Sequence, residues 1–299
     1  MNTRHLFSAF LFASATIAGA APLAQHVVVI GLDGCRPELL HDHATGALQR
    51  LWQEGAFTWN AEAAVPSVTQ VNFAGILTGS TPARHGIDQV AWDHPSSPKL
   101  KVKTSTIFEV LARNGRSAAA FLGHEKLYPV ETRAAADAGV HFEHSPHGAK
   151  AAAPLAARYL REHQPAFTFI YFGDLDGAGH HDGWMSPHQI ATMAEINRGV
   201  DLVFAAIEET AMKGNTVVIV TADHGGHGKS HSQGTLEDRQ IPWICWGSSV
   251  RRATELCDCE SGRIQNLDTA PTALYVLGLA PPPEWDGRIV SEAFVAAKE

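Results

Sequence analysis

Apolar, β-branched runs recur along the chain and alternate with segments of helical periodicity. Five runs stay apolar instead of alternating with polar residues, which predicts strands buried on both faces. These predicted strands cover residues 25–32, 117–122, 166–172, 216–220 and 241–246. The helical pattern covers residues 38–54, 69–77, 106–114, 149–162 and 187–212. The last of these follows a serine and opens on a proline, which is typical of a helix start.

The alternation of buried strands and helices predicts the fold class. We expect an α/β fold with a mostly parallel central sheet and helices on both faces. A length of 299 residues suits a single domain of this kind, and no internal repeat or linker interrupts the pattern. Residues 85–103 and 124–148 lack a clear period and are predicted to be loops at the rim of the sheet.

The N-terminal segment has the pattern of a secretory signal peptide. Arg4 precedes an apolar run at residues 6–17, and Ala-Gly-Ala at 18–20 offers a small-residue cleavage site. An uncleaved anchor is the alternative, although the run is short for a membrane span. The prediction is a signal peptide at 1–20 and a catalytic domain at 21–299. The mature protein would be periplasmic or secreted, with no membrane contact.

Composition narrows the classes of partner. A net charge of −8 argues against a nucleic acid polymer or an anionic membrane, since both call for clustered Lys and Arg. The 17 histidines point towards metal sites. The four cysteines fit an oxidising compartment, with Cys35 interpreted as a lone buried thiol. A bridge from Cys245 to Cys257 or Cys259 is a further interpretation.

Acidic residues and histidines follow three of the predicted strands. Because α/β sheets bind ligands at the carboxyl ends of their strands, three such endings on one edge would converge. Carboxylate and imidazole groups are the usual ligands for zinc. His231 follows a glycine-rich loop, and His231 and His227 are alternatives for one ligand position. The residues predicted to bind metal are Asp33, Asp176, His180, Asp223, His224 and His231.

Thr69 is the candidate nucleophile. It follows Pro66 and Ser67 and begins a helical pattern, so it would lie at a helix N-terminus, where N–H groups favour phosphate. A hydroxyl beside a metal ion also loses its proton more easily. The alternative is that Thr69 or Ser67 only caps the helix.

Five motifs occur in an order that resembles a known family. They are GLDG (31–34), PSVTxxN with LTGSTPARHGI (66–87), DxxGH (176–180), TADHGG with KSH (221–231) and LDTAPTALYVLGL (267–279). Together they resemble the alkaline phosphatase superfamily, and within it the branch of type I phosphodiesterases and nucleotide pyrophosphatases. The resemblance covers nearly the whole mature chain and implies the alkaline phosphatase-like fold.

The resemblance also implies a site and a reaction. Two Zn2+ ions would be bound, with Mn2+ or Fe as alternatives. One ion would face Asp33, Thr69, Asp223 and His224, and the other Asp176, His180 and His231. The substrate would be a small-molecule phosphate mono- or diester, including nucleotides. Thr69 would attack phosphorus, and water would hydrolyse the resulting phosphothreonine.

The chain also departs from the family pattern. Nucleotide-cleaving members carry an Asn shortly after HGI that contacts a phosphate oxygen, and Val90 occupies that position here. Its role could pass to Gln89, Lys126 or Lys229. Asn72 is a further candidate substrate contact, with fixing of the loop before Thr69 as its alternative role. The alternative functions are a catalytically impaired metal-binding relative and a metal-dependent phosphotransferase or mutase.

Overall fold

One eight-stranded sheet organises the molecule. The computed structural model describes residues 21–87, 101–257 and 262–295. The strands are β1 (His26–Leu32), β2 (Ala56–Glu62), β3 (Ala118–Phe121), β4 (His141–Glu143), β5 (Phe167–Phe172), β6 (Thr216–Ala222), β7 (Gln240–Trp246) and β8 (Thr254–Glu255). Their order across the sheet is β4-β3-β5-β1-β6-β7-β2-β8. Only β7 runs antiparallel to its neighbours β6 and β2, so the predicted mostly parallel sheet is confirmed.

The helices form two groups. They are α1 (Pro37–His43), α2 (Gly46–Glu54), α3 (Thr69–Thr78), α4 (Pro82–His85), α5 (Ile107–Arg113), α6 (Arg133–Asp137), α7 (Ala149–His163), α8 (Asp174–Asp182), α9 (Pro187–Glu208), α10 (Leu236–Arg239) and α11 (Thr269–Val276). Short 3-10 helices cover Glu125–Val130, Asn266–Asp268 and Ser291–Ala293. The long helix α9 packs against α1, α2, α7 and α8, whereas α3 packs against α5 and α11. This layered α/β arrangement is the predicted single-domain fold.

The centre of the sheet follows the apolar runs closely. Strand β1 lies between β5 and β6 and is parallel to both, with Val29 opposite Phe169 on one side and Ile219 on the other. All residues of β5 and β6 are buried, which explains why these runs lack polar alternation. All five predicted strands are present as β1, β3, β5, β6 and β7.

Several element boundaries differ from the prediction. The single helix predicted at 38–54 is two helices, because Ala44 and Thr45 are extended and the Thr45 N–H bonds the side chain of Asn197. The helix predicted to reach residue 212 ends at Glu208. Strand β4 lies within the predicted rim loop 124–148, and β2 and β8 were not predicted. The carboxylate of Asp268 accepts the N–H groups of Gln265 and Arg288 just before α11.

The cysteines add no described cross-link to the core. Cys35 and Cys245 are buried free thiols, which confirms the interpretation of Cys35 and leaves Cys245 without the suggested bridge. Cys259 and the predicted signal peptide at 1–20 lie outside the described residues. Within the described ranges, no helix is both long and apolar enough to cross a bilayer.

Candidate active site

The carboxyl ends of three parallel strands bring the predicted residues together. Asp33 directly follows β1, and its N–H bonds the carbonyl of Phe172 at the end of β5. Helix α8 starts two residues after β5 and carries Asp176. Asp223 directly follows β6. Because β5, β1 and β6 are adjacent and parallel, all three side chains reach the same edge of the sheet.

One group of ligand atoms surrounds the Nε2 atom of His224. This atom lies 3.2 Å from Asp223 Oδ2 and 3.3 Å from Asp33 Oδ1. It lies 4.0 Å from Asp176 Oδ1. The His224 Nδ1–H donates to the carbonyl of Gly225 at 2.8 Å, so the lone pair of Nε2 is available to bind a metal ion.

A second group is formed by Asp176, His180 and His231. His180 lies one helical turn beyond Asp176 on α8, and its Nε2 is 3.4 Å from Asp176 Oδ1. The Nε2 atom of His231 is 3.7 Å from the same oxygen and 3.2 Å from His180 Nε2. Asp176 belongs to both groups, and the rings of His224 and His231 stack with centroids 3.7 Å apart.

Most of the candidate ligands form a hydrogen bond through one atom and leave another atom facing the site. Tyr171 donates to Asp33 Oδ2 at 2.6 Å, leaving Oδ1 inward. Backbone N–H groups of Gly34 and His224 hold Asp223 Oδ1. The Nδ1 atoms of His180 and His231 bond the carbonyls of Lys229 and Ser67, respectively. Such outer contacts fix the ring orientation and tautomer of metal-binding histidines.

The glycines of the loop after β6 allow close packing around these ligands. A Cβ atom on Gly226 would lie 2.2 Å from the Trp184 ring, and one on Gly225 would lie 2.1 Å from the carbonyl of Glu237. The Trp184 indole N–H bonds the carbonyl of Gly34, and its ring contacts His180 and His231. Glycine is therefore required here so that Trp184 can support both histidines.

Thr69 is the first residue of α3 and is buried. Val68 occupies the cap position and makes no side-chain cap bond, so the simple capping role is not what the structure shows for Thr69. The Thr69 Oγ1 atom has no hydrogen-bond partner. Ser67 Oγ donates to the carbonyl of His231 at 2.5 Å, which ties the loop before α3 to the ligand group.

The buried polar atoms of the site indicate whether metal ions fit between these residues. Burying a polar atom without a partner is costly, so such atoms in a native structure call for an explanation. Five site atoms are buried and unpartnered: Asp33 Oδ1, Thr69 Oγ1, Asp176 Oδ1, Asp223 Oδ2 and His224 Nε2. The carboxylate and imidazole atoms are zinc-type donors that lie close together around His224 Nε2, and the Thr69 hydroxyl is a further buried oxygen at the start of α3. The residues present therefore fit the metal ions that the family resemblance implies.

The electrostatics also favour a bound cation. Burial, with a further contribution from Asp176, raises the pKa of Asp223 to about 8. Burial and the neighbouring carboxylates also raise the pKa of Asp33 well above its usual value. Burial lowers the pKa of His224 well below its usual value, and that of His231 is lowered for the same main reason. Neutral histidines beside crowded carboxylates are the state that divalent cations bind.

The candidate substrate contacts occupy different environments. Asn72 is fully buried, and its side chain bonds Ala64, Pro66 and Val68, so it fixes the loop before Thr69. The Lys229 ammonium donates to the carbonyl of His181. Gln89 lies outside the described residues. His227 does not join the ligand atoms, because its Nδ1 bonds Asp238 at 2.7 Å.

Sequence reasoning missed one residue that contacts the site. Tyr171 is read as part of an apolar strand, yet its hydroxyl reaches Asp33. Its ring fits between Phe73 and the backbone of Gly123 and Gly173, where a Cβ atom would lie less than 3 Å away. Lys126 lies in the 3-10 helix after β3, and its charge acts on Asp33, His224 and His231.

Comparison with known proteins places the chain in a family. The sequence model of the family described as Type I phosphodiesterase / nucleotide pyrophosphatase matches residues 27–237. The chain belongs to this family. Ectonucleotide pyrophosphatase/phosphodiesterase family member 1 of Mus musculus is 24% identical over 218 residues, which cover 66% of this chain and 24% of the relative. The family resemblance predicted from the five motifs is therefore confirmed.

Two further relatives extend the comparison. GPI ethanolamine phosphate transferase 2 of Aspergillus fumigatus is 24% identical over 292 residues, 91% of this chain and 37% of the relative. The chain thus spans little more than a third of that relative's length. Murine ectonucleotide pyrophosphatase/phosphodiesterase 5, solved as an inactive threonine-to-alanine variant with AMP, has a TM-score of 0.74 at 13% identity. That match covers 91% of this chain and all of the solved chain, and it supports the fold.

Proposed function

We propose that this protein is a two-metal phosphoric ester hydrolase that acts through Thr69. Family membership supports phosphoester chemistry. The observation that carries the proposal is the set of five buried, unpartnered donor atoms, in which the Thr69 hydroxyl accompanies metal-type ligands. Neither a helix cap nor a core hydrogen bond accounts for a hydroxyl left alone in this position.

The residues that would hold the ions follow the two groups already described. Asp33, Asp223 and His224 would bind one ion together with Thr69. Asp176, His180 and His231 would bind the other. The histidine and carboxylate donors favour zinc, with Mn2+ or Fe as alternatives. When bound, the ions would polarise the phosphoryl group and make the threonine hydroxyl easier to deprotonate.

The residues of the chain would carry the reaction in two displacements. Thr69 Oγ forms a bond to phosphorus while the bond to the leaving-group oxygen breaks. A monoester gives a phosphothreonine and a diester gives its ester, and the leaving oxygen takes up the Thr69 proton to become a free alcohol. A water molecule then attacks phosphorus, and phosphate or a phosphate monoester leaves as Thr69 regains its hydroxyl. Thr69 begins a helix of ten residues, whose N-terminal N–H groups favour the negative phosphoryl group.

The proposed substrate is a small-molecule phosphate ester, and a nucleotide is one candidate. The similar murine structure was solved with AMP, which supports a nucleotide-like ligand for this fold. That structure's inactive variant replaces a threonine by alanine, which supports a threonine nucleophile. Lys126 is the candidate for the missing Asn contact. We further propose that the protein works in the periplasm or outside the cell, as the predicted signal peptide implies.

The test compares hydrolysis of p-nitrophenyl phosphate and bis-p-nitrophenyl phosphate by the zinc-loaded protein. Thr69→Ala should lose activity by several orders of magnitude while still binding metal. Thr78→Ala is the matched control, because Thr78 is equally buried at the other end of α3 and bonds the carbonyl of Ala74. Chelator-treated protein should also be inactive. Unchanged activity in Thr69→Ala would reject the nucleophile, and an inactive metal-bound chain would point to an impaired relative.

A phosphotransferase is the second candidate function. The observation that favours it is the match of 91% of this chain to an ethanolamine phosphate transferase. A phosphothreonine could pass its phosphoryl group to an alcohol instead of water. Adding small alcohols to the assay separates the two reactions. A new phosphate ester formed at the expense of free phosphate indicates a transferase, whereas phosphate alone indicates a hydrolase.

A further inference from the structure

The end of α8 and the start of α9 place two histidines and an aspartate side by side on the surface. His181 Nδ1 lies 3.0 Å from Asp182 Oδ1, and His188 Nδ1 lies 2.6 Å from Asp182 Oδ2. One ligand atom from each of the three residues lies within 4.8 Å of the others. None of the three has a part in the hydrolase site proposed above.

We propose that His181, Asp182 and His188 bind a divalent transition-metal ion, with zinc as the preferred metal, separately from the active site. Zinc binds histidine nitrogen and carboxylate oxygen at about 2.0–2.2 Å, so its ligand atoms lie roughly 3.4 Å apart in a tetrahedral site. The observed His–Asp contacts of 3.0 and 2.6 Å are shorter than this, so the exposed side chains would move slightly apart to admit an ion. Three protein ligands leave one position for water or for a ligand from another molecule.

The same atoms form hydrogen bonds with one another when no metal is bound, so a metal ion would compete with these hydrogen bonds. Without a metal, both rings donate an N–H to the Asp182 carboxylate. A metal ion replaces both protons, because each Nδ1 must be deprotonated to act as a ligand. Exposed contacts of this kind contribute little to stability, so a metal ion can displace them at little cost.

Other exposed histidine–carboxylate pairs in the described chain lack the third ligand. His41 Nδ1 lies 2.6 Å from Asp42 Oδ1, with both side chains more than half exposed. Within the described ranges, that pair has no further His, Cys, Asp or Glu close enough to complete a group of three. The two pairs are otherwise alike in chemistry, so His41 provides a matched comparison.

The turn between α8 and α9 fixes the backbone that carries the three candidate ligands. The Met185 backbone is in the left-handed region, and its N–H donates to Gln189 Oε1 at 2.7 Å. The backbone N–H of Trp184 donates to the carbonyl of Gly228. The Lys229 ammonium bonds the backbone of His181 and makes no described ion pair with Asp182. A fixed backbone limits the conformational freedom that the chain loses when the three side chains bind an ion.

A bound ion would tie the end of α8 to the start of α9. Helix α8 also carries Asp176 and His180 of the candidate active site, so the ion would stiffen the element that presents them. We therefore expect a zinc-dependent rise in thermal stability that persists when the active-site ligands are removed.

The experiment counts bound zinc in chains whose active site has been weakened by removing two of its carboxylates. Metal-free protein carrying Asp33→Asn and Asp176→Asn is dialysed against zinc and measured by elemental analysis, with circular dichroism as a check on folding. This chain should bind one ion more per molecule than the same chain that also carries His188→Ala. Adding His41→Ala should leave the zinc content unchanged. Equal zinc content with His188→Ala and His41→Ala would overturn the proposal.

The same comparison in the unaltered chain provides a second measurement that does not depend on the active-site variants. His188→Ala should lower the zinc content by one ion relative to His41→Ala, with the hydrolysis of p-nitrophenyl phosphate retained. Loss of the ion and retained hydrolysis together separate this site from the active site. Identical zinc content in the two variants would again reject the proposed site.

Discussion

At the scale of single residues, the two lysines near the candidate site differ in what their ammonium groups contact. The Lys229 ammonium donates to the backbone carbonyl of His181 at the end of α8. Lys126 has no described hydrogen bond or ion pair at its ammonium, although its charge acts on three of the site residues. Lys126 is therefore the better candidate for contact with a phosphate oxygen.

Replacing each lysine by methionine tests this difference. Loss of a charge-assisted contact at Lys126 should lower kcat/KM by about 10- to 100-fold, since such bonds contribute about 1.5–3 kcal/mol. The loss should be greater for the doubly charged monoester than for the diester. Lys229→Met, as the matched control, should change kcat/KM much less. Steady-state kinetics on both p-nitrophenyl esters measure this, and equal losses in the two variants would contradict the assignment.

Tyr171 illustrates a residue that acts through a ligand. Its hydroxyl holds Asp33 Oδ2 and so directs Oδ1 into the site. Tyr171→Phe keeps the buried ring but removes this bond, and it should weaken metal binding by about 10- to 100-fold. Zinc affinity measured by competition with a chelator gives the readout. Tyr159→Phe, on α7, should leave the affinity unchanged, and a similar result for Tyr171→Phe would exclude the positioning role.

At the scale of elements, the loop between β2 and α3 depends on one buried amide. The Asn72 Oδ1 atom accepts from the Ala64 N–H and from Asn266, while its Nδ2 donates to three backbone carbonyls. Asn72→Ala leaves these buried groups unpaired and should cost about 3 kcal/mol of unfolding free energy. Asn114→Ala removes a single half-buried bond to Val110 and should cost about 1 kcal/mol. Urea unfolding of both variants measures the difference, and equal costs would contradict the proposed role of Asn72.

The elements also show how far the sequence determines the structure. The central strands are long and apolar throughout, so periodicity alone identifies them. Strands β4 and β8 have only three and two residues, and they exist because a neighbouring strand supplies their hydrogen bonds. The break between α1 and α2 likewise depends on Asn197, which is remote in sequence. Such contacts between distant residues leave no local pattern to read.

The residues of the candidate site also differ in whether the sequence alone reveals them. Its candidate ligand residues are recognisable because their chemistry and their positions near strand ends agree, and the structure brings the six carboxylate and histidine side chains together. Tyr171 is not recognisable, because the sequence does not show which way a buried strand residue points at its end. The arrangement of Asp176 between both ligand groups also depends on how α8 packs, which only the folded chain reveals.

At the scale of the whole molecule, the crowded carboxylates should link metal content to stability. The pKa of Asp223 is raised to about 8, and that of Asp33 is also raised, with burial as the main cause of both shifts. A carboxyl whose pKa is higher in the folded state stabilises the fold at low pH and loses that contribution as pH rises through the folded value. His224 and His231 have lowered pKa values, so their contribution is lost only as pH falls below about 6.5.

Between pH 7 and 8, both histidines are largely neutral in the folded and unfolded states, so the carboxyls decide the trend. Metal-free protein should therefore lose stability over this range, on the order of 1–2 kcal/mol for one carboxyl with a folded pKa near 8. Zinc-loaded protein should not, because bound ions hold the carboxylates in their charged form. Thermal unfolding at several pH values measures both trends, and Asp223→Asn should flatten the metal-free curve. Parallel curves with and without zinc would mean that these carboxyls do not face the metal ions.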